Sequence, residues 1–141
     1  MNTWVIDASV VAAAMFHEAQ REPAQAVLVS DATLLAPDLI LTELANVIWK
    51  RHGRGEINDA EAQELLADIR RLPLRLVPTP QLVTPALAMA VQSKRTVYDC
   101  TYLALAVEQD AVMLTGDKRL VNSLQRTPLQ ALVRWIGELS V

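Results

Sequence analysis

The chain has 141 residues, one cysteine, and 13 lysines and arginines against 16 aspartates and glutamates, a net charge of −3. That length suits one domain with its own core, and 52% hydrophobic residues with a mean hydropathy of +0.21 exclude a disordered chain. The longest apolar run, Val10 to Phe16, is far short of the roughly 20 residues of a membrane span, no signal peptide opens the sequence, and a lone Cys100 excludes an intrachain disulfide, so a soluble cytoplasmic protein without a membrane partner is expected.

The first strand is expected at Trp4 to Ile6, with Asp7 directly after it. A second, Thr33 to Ala36, leads into Pro37-Asp38, where Asp38 is the expected N-cap of a helix. A rotation of about 100° per residue puts Ile40, Leu44, Val47, Ile48 and Arg51 of that helix in one stripe, with Glu43 at its shoulder. Trp49 faces away from the stripe, either to pack beneath a neighbouring helix or to join a protein-binding surface. Asn58 with Glu61 resembles a capping box, and Leu74 to Val77 reads as a third strand. Thr84-Pro85 places a cap before a proline at the first helical position. Thr96, with Asp99 three residues on, opens a helix from about Val97 to Glu108, which turns at Gln109-Asp110 into a strand over Ala111 to Thr115. The tail from Leu129 to Trp135 offers a fifth strand. No repeat or linker divides the chain, so residues 1–141 are expected to form a single α/β domain, a mostly parallel sheet of four or five strands flanked by helices.

On this frame Asp7 and Asp117 fall at the carboxyl ends of parallel strands, the edge at which open α/β sheets bind ligands. Asp99 lies in the first turn of its helix, near the positive end of the macrodipole, and Glu43 can stay anchored and still reach a cleft. If the four converge, their mutual repulsion calls for a cation. Oxygen ligands without a His or Cys cluster suit Mg²⁺ or Mn²⁺, and such sites hydrolyse phosphodiesters. Setting these four acids aside leaves 12 acids to 13 bases on the remaining surface, so the net charge does not exclude a nucleic-acid substrate.

Four segments in order carry a resemblance: V-I-D-A-S at the first strand, L-T-E-L-A-N-V-I-W-K, T-V-Y-D-C-T-Y-L-A-L-A, and M-L-T-G-D-K-R-L. Together, from Val5 to Leu120, they are similar to the signature regions of PIN-domain nucleases, in particular the VapC-type toxins of bacterial toxin-antitoxin pairs. The resemblance implies a three-layer PIN-like fold and a metal-dependent endoribonuclease with Asp7, Glu43, Asp99 and Asp117 as its acidic quartet. Asp7 and Asp99 would be the core metal ligands, Asp117 a direct or water-bridged one, and Glu43 the group that orients or deprotonates the attacking water. Ser9 and Thr115 would support those acids or a phosphate. The resemblance also implies a homodimer and an antitoxin that occludes the site. Cys100 and Gly116 depart from the usual pattern without removing a carboxylate, and Cys100 is expected to be a buried core residue.

Each acid also has a plain structural reading: Asp99 as partner of a Thr96 cap, Asp7 as a turn residue, Asp117 as the cap of a short helix, and Glu43 as a solvated helix residue. Arg51, His52, Arg54, Lys94, Arg95, Lys118 and Arg119 are candidates for RNA phosphates or ordinary solvated charge, with Lys118-Arg119 the best placed. His17 and His52 lack metal spacing. Two alternatives stand beside the ribonuclease: a phosphatase or DNA-directed nuclease using the same acids, and a catalytically silent binding module. The missing D-x-D motif speaks against the phosphatase, and four intact acids against the silent module.

Overall fold

A computed structural model of the chain describes residues 2–139. The elements run β1 (Thr3–Ile6), α1 (Ala8–Met15), α2 (Arg21–Leu28), β2 (Thr33–Pro37), α3 (Leu39–Gly53), α4 (Asp59–Arg70), β3 (Leu74–Val77), α5 (Val83–Ser93), α6 (Val97–Glu108), β4 (Val112–Thr115), α7 (Lys118–Ser123) and β5 (Val133–Trp135), with short 3₁₀ turns before α5 and on either side of β5. All strand pairings are parallel, in the order β3-β2-β1-β4-β5. From β1 the chain builds outward to β2 and β3, then crosses back to β4 and β5. The order therefore reverses between β1 and β4, and the connections leaving their carboxyl ends diverge around a crevice.

Successive residues of the inner strands point to opposite faces, and Val5 with Ile6, Leu34 with Leu35, and Met113 with Leu114 are all buried. Both faces of the sheet are thus covered by helices, as an all-parallel sheet requires. The apolar run beginning at Val10 forms α1, where Val10 to Ala14 are buried. Helix α6 is buried without a break from Cys100 to Ala106 and packs on β1, β2, β4 and α5. Apolar residues all around a helix fit such full enclosure. The one hydroxyl in that run facing the backbone, Thr101 Oγ1, donates to the Val97 carbonyl at 2.7 Å. No helix among the described residues is long and apolar enough to cross a membrane.

Two expected caps differ. Asp38 precedes α3, but its carboxylate does not cap it. Instead the N–H and hydroxyl of Thr79 both donate to Asp38 Oδ1, at 3.0 and 2.7 Å, while Thr79 Oγ1 accepts from the Leu39 N–H at 3.0 Å. The loop after β3 therefore supplies the cap from 40 residues away in sequence. Thr84-Pro85 lies inside α5, whose first turn grows out of the 3₁₀ turn Thr79–Leu82. The proline falls where amide donors are free in any case, so it is tolerated there without opening the helix. The expected capping box at Asn58 and Glu61 is present in both directions, and Thr96 Oγ1 accepts from the Asp99 N–H.

Thr79→Ala removes the cap of α3 and the partner of Asp38 together. Chemical denaturation should show a loss of about 1 kcal/mol, and adding Asp38→Ala should cost less than the two single losses summed, because both act through one network. Strict additivity would mean the two side chains are not coupled.

Candidate active site

The carboxyl ends of β1 and β4 are joined by side chains. Asp7 ends β1 and caps α1, with Oδ1 accepting from the Val10 N–H at 3.3 Å and from the Ser9 hydroxyl at 2.5 Å. Ser9 Oγ in turn accepts from the Gly116 N–H at 2.7 Å and lies 3.3 Å from Thr115 Oγ1, which accepts from the Asp117 N–H at 3.0 Å. One serine hydroxyl thus ties the end of β1 to the turn after β4. The approach leaves little room: a Cβ on Gly116 would stand 3.1 Å from Ser9 Oγ. Having no side chain, Gly116 lets this hydroxyl close on the backbone.

Asp7 is 8% exposed, and burial lifts its carboxyl to about 6 from an ordinary 3.8. The hydroxyls of Ser9 and Thr115 and the Val10 N–H pull it down, while the negative charge of Asp99 pushes it further up. Glu43, on α3, is also raised, first by burial and then by Asp99. Asp99 sits in the first turn of α6, where Arg95 Nη2 donates to its Oδ2 at 3.2 Å. Asp7, Glu43 and Asp99, from three separate elements, therefore share one electrostatic field. Asp117 stands at the margin: it is exposed, and its Oδ1 caps α7 through the Arg119 and Leu120 N–H groups at 3.0 and 3.3 Å.

Tyr102 was not singled out from the sequence, yet its phenol donates to Glu43 Oε1. It is 2% exposed, and burial together with the Glu43 and Asp7 charges keeps it protonated, fixed as a donor. Its position three residues after Asp99 puts both on one side of α6, the one signal the sequence offered.

The surrounding bases divide. Arg51 stacks on Phe16, 3.9 Å from the ring centroid, and pairs with Glu18 and Glu56. His52 meets Asp59 at 2.6 Å, Arg54 meets Glu56 at 3.6 Å, and His17 meets Arg21 at 2.7 Å, so these groups have partners within the fold. Lys94 ends α5 in the left-handed region at φ +61. Arg119 and Lys118 open α7, and the Lys118 ammonium lies over the ring of Trp135, 4.6 Å from its centroid. That ring is packed on Gly137, where a Cβ would stand 2.3 Å from it. Trp49 is 67% exposed and edges a groove of about 390 Å³ between α3 and α4, with Ala45, Ala62 and Leu66. Cys100 is fully buried beside the Ser93 hydroxyl, and burial raises its thiol, which leaves it a packing residue.

The donors are hard oxygens in a field that penalises their own ionisation, chemistry that fits a hard divalent cation. Among the described residues no three His, Cys, Asp or Glu side chains cluster tightly enough to hold an ion by themselves. A hard divalent cation that takes one or two carboxylates and completes its shell with water is compatible with that spacing. Asp7 and Asp99 would hold it.

The PIN domain family profile matches residues 4–123. Ribonuclease VapC3 of Pyrobaculum aerophilum is 32% identical over 120 residues, covering 84% of this chain and 92% of that protein. The solved structure of Mycobacterium tuberculosis VapC20, a "Sarcin-Ricin loop cleaving toxin", matches with a TM-score of 0.66 at 16% identity, over 85% of this chain and 94% of that one. VapBC2 from Rickettsia felis, bound to a fragment of promoter DNA, gives 0.64 at 14% identity, over 94% and 98%. At such identities the structural likeness is one of fold.

Between pH 3.8 and about 6 the folded chain keeps on Asp7 a proton that the unfolded chain has released. The metal-free protein therefore loses stability as pH rises through that window, by about 3 kcal/mol in all. Asp7→Asn removes the loss while keeping a capping oxygen, so in chelator at pH 8 it should melt above the wild type, with the difference closing towards pH 4. An equal or lower melting temperature at pH 8 would contradict the burial argument.

Proposed function

The chain belongs to the PIN domain family, and from that premise we propose that it is a divalent-metal-dependent endoribonuclease, the toxin of a toxin-antitoxin pair. The observation that carries the reading is the gathering of Asp7, Glu43 and Asp99 at the carboxyl edge of the sheet, where burial first, and the charge of Asp99 in addition, raise both Asp7 and Glu43. A protein without use for a cation there has no reason to keep that repulsion. The near-full-length match to a protein named a ribonuclease supports the same chemistry.

In this reading Asp7 and Asp99 would hold Mg²⁺ or Mn²⁺, with Asp117 a further ligand, direct or through a water. The bound ion supplies charge stabilisation at the phosphate and makes a water more acidic. Glu43 takes the proton of the attacking water. Its raised affinity for protons suits that task, and the Tyr102 hydrogen bond anchors the carboxylate through Oε1. Ser9 and Thr115 keep Asp7 and the Gly116 turn in register. Lys118 and Arg119 meet the RNA backbone beside the acids.

The partners follow the same logic. An antitoxin that covers the acidic edge silences the enzyme, and the VapBC2 assembly is the kind of neighbour that supports this. A second copy of the chain fits the exposed stripe of α5, Val83, Leu87 and Val91 at four-residue spacing. The reaction belongs in the cytoplasm, with its RNA.

Purified protein freed of antitoxin should cut total RNA with Mg²⁺ or Mn²⁺ and not in chelator, and Asp7→Asn and Asp99→Asn should each lower the rate by about 10²-fold or more. Tyr102→Phe should reduce it by about tenfold and move the acidic limb of the pH-rate profile upward, since Glu43 loses the hydrogen bond that favours its ionised form. Intact RNA under both metals, with no divalent binding by calorimetry, would refute the nuclease.

A further inference from the structure

Arg95 holds an unusual place beside the acids. It lies between Lys94, which ends α5, and Thr96, which caps α6, and its own N–H donates to Ser93 Oγ at 3.2 Å. The backbone is thus tied at three successive residues, so a change of partner for the guanidinium is a change of side-chain rotamer. Its guanidinium reaches Asp99 Oδ2 through Nη2 at 3.2 Å, with both side chains 30% exposed. Its Nε is buried and has no hydrogen-bond partner, the one such buried side-chain nitrogen or oxygen among the described residues. A buried donor left unpaired carries a desolvation cost, so this pose rests on the attraction of one carboxylate against a standing penalty.

From this geometry we infer that Arg95 is the resident counter-ion of Asp99 in the metal-free protein, is displaced by the incoming divalent cation, and then binds a phosphate oxygen of the substrate. The inference rests on the nuclease reading above. Two cations cannot share one carboxylate edge without repulsion, so a divalent ion at Asp99 removes the one ion pair that, among the described residues, holds the guanidinium down. Once released, Arg95 swings from its fixed backbone with its fork of N–H donors unspent, the geometry that matches phosphate. The guanidinium thus offsets one carboxylate until metal arrives, and from then on both cations are left to face the substrate. No covalent step is involved.

The test compares wild type, Arg95→Gln, Arg95→Met and Arg95→Lys, all shown to keep their fold by circular dichroism. Mn²⁺ affinity is measured by calorimetry without RNA, and KM and kcat on one RNA in saturating Mn²⁺. The two neutral variants should bind Mn²⁺ about three- to tenfold more tightly and show KM raised several-fold with kcat within about twofold. Arg95→Lys, which keeps the charge, should stay near wild-type Mn²⁺ affinity. Unchanged or weaker Mn²⁺ binding in Arg95→Gln and Arg95→Met overturns the displacement, and an unchanged KM overturns the phosphate contact. A wild-type chain that neither binds Mn²⁺ nor cuts RNA sinks the nuclease reading itself, an outcome distinct from either.

Discussion

Like charges do not gather in a half-buried pocket unless something opposes their repulsion, and much of this molecule is organised by that constraint. Burial pushes Asp7 towards its neutral acid form, and the negative charge of Asp99 acts in the same direction on both Asp7 and Glu43. The fold answers with donors rather than with buried countercharges: two hydroxyls and an amide towards Asp7, a phenol on Glu43, and one half-exposed guanidinium on Asp99. Hydrogen bonds of this kind orient a carboxylate and favour its charge without filling the space a cation would take.

The sheet and α6 divide the work of placement. The reversal between β1 and β4 opens the crevice, and the Ser9 hydroxyl keeps its two walls at a fixed distance. Helix α6, enclosed on nearly every side, is among the most constrained elements of the structure. Its exposed amino-terminal turn carries Asp99, and Tyr102 follows one turn later with its ring buried and its hydroxyl at the site. Rigidity in the interior is what gives the surface end its accuracy.

What the sequence made legible was local. Strand-end positions such as Asp7 follow from a short apolar run that stops, and the Thr96 and Asn58 caps follow from spacing within three residues. The edge on which Asp7 and Asp117 lie came from the alternation of strands and helices, since parallel strands all end on one side. The less legible contacts are long-range. Tyr102 and Glu43 are 59 residues apart and Thr79 caps a helix 40 residues earlier, so neither pairing leaves a trace in local periodicity. Asp38 stands at the expected N-cap position of α3, but its carboxylate bonds elsewhere because a short polar residue before a helix has two options, its own helix or a neighbouring loop, and tertiary contact decides. Helix α2 has no side-chain cap at Gln20, which is why no start signal marked it.

The indole of Trp135 faces the Lys118 ammonium on one side and is packed against Gly137. A cation held over an aromatic face perturbs that ring's excited state, and the attraction is weak enough, about 0.5–2 kcal/mol, to yield to a nearby polyanion. The molecule therefore carries an optical gauge one residue away from Asp117: when the ammonium leaves the ring, the emission of Trp135 changes. With Trp4 and Trp49 replaced by phenylalanine, the occupancy of that rim can be followed by ultraviolet-excited emission, in real time and without any label.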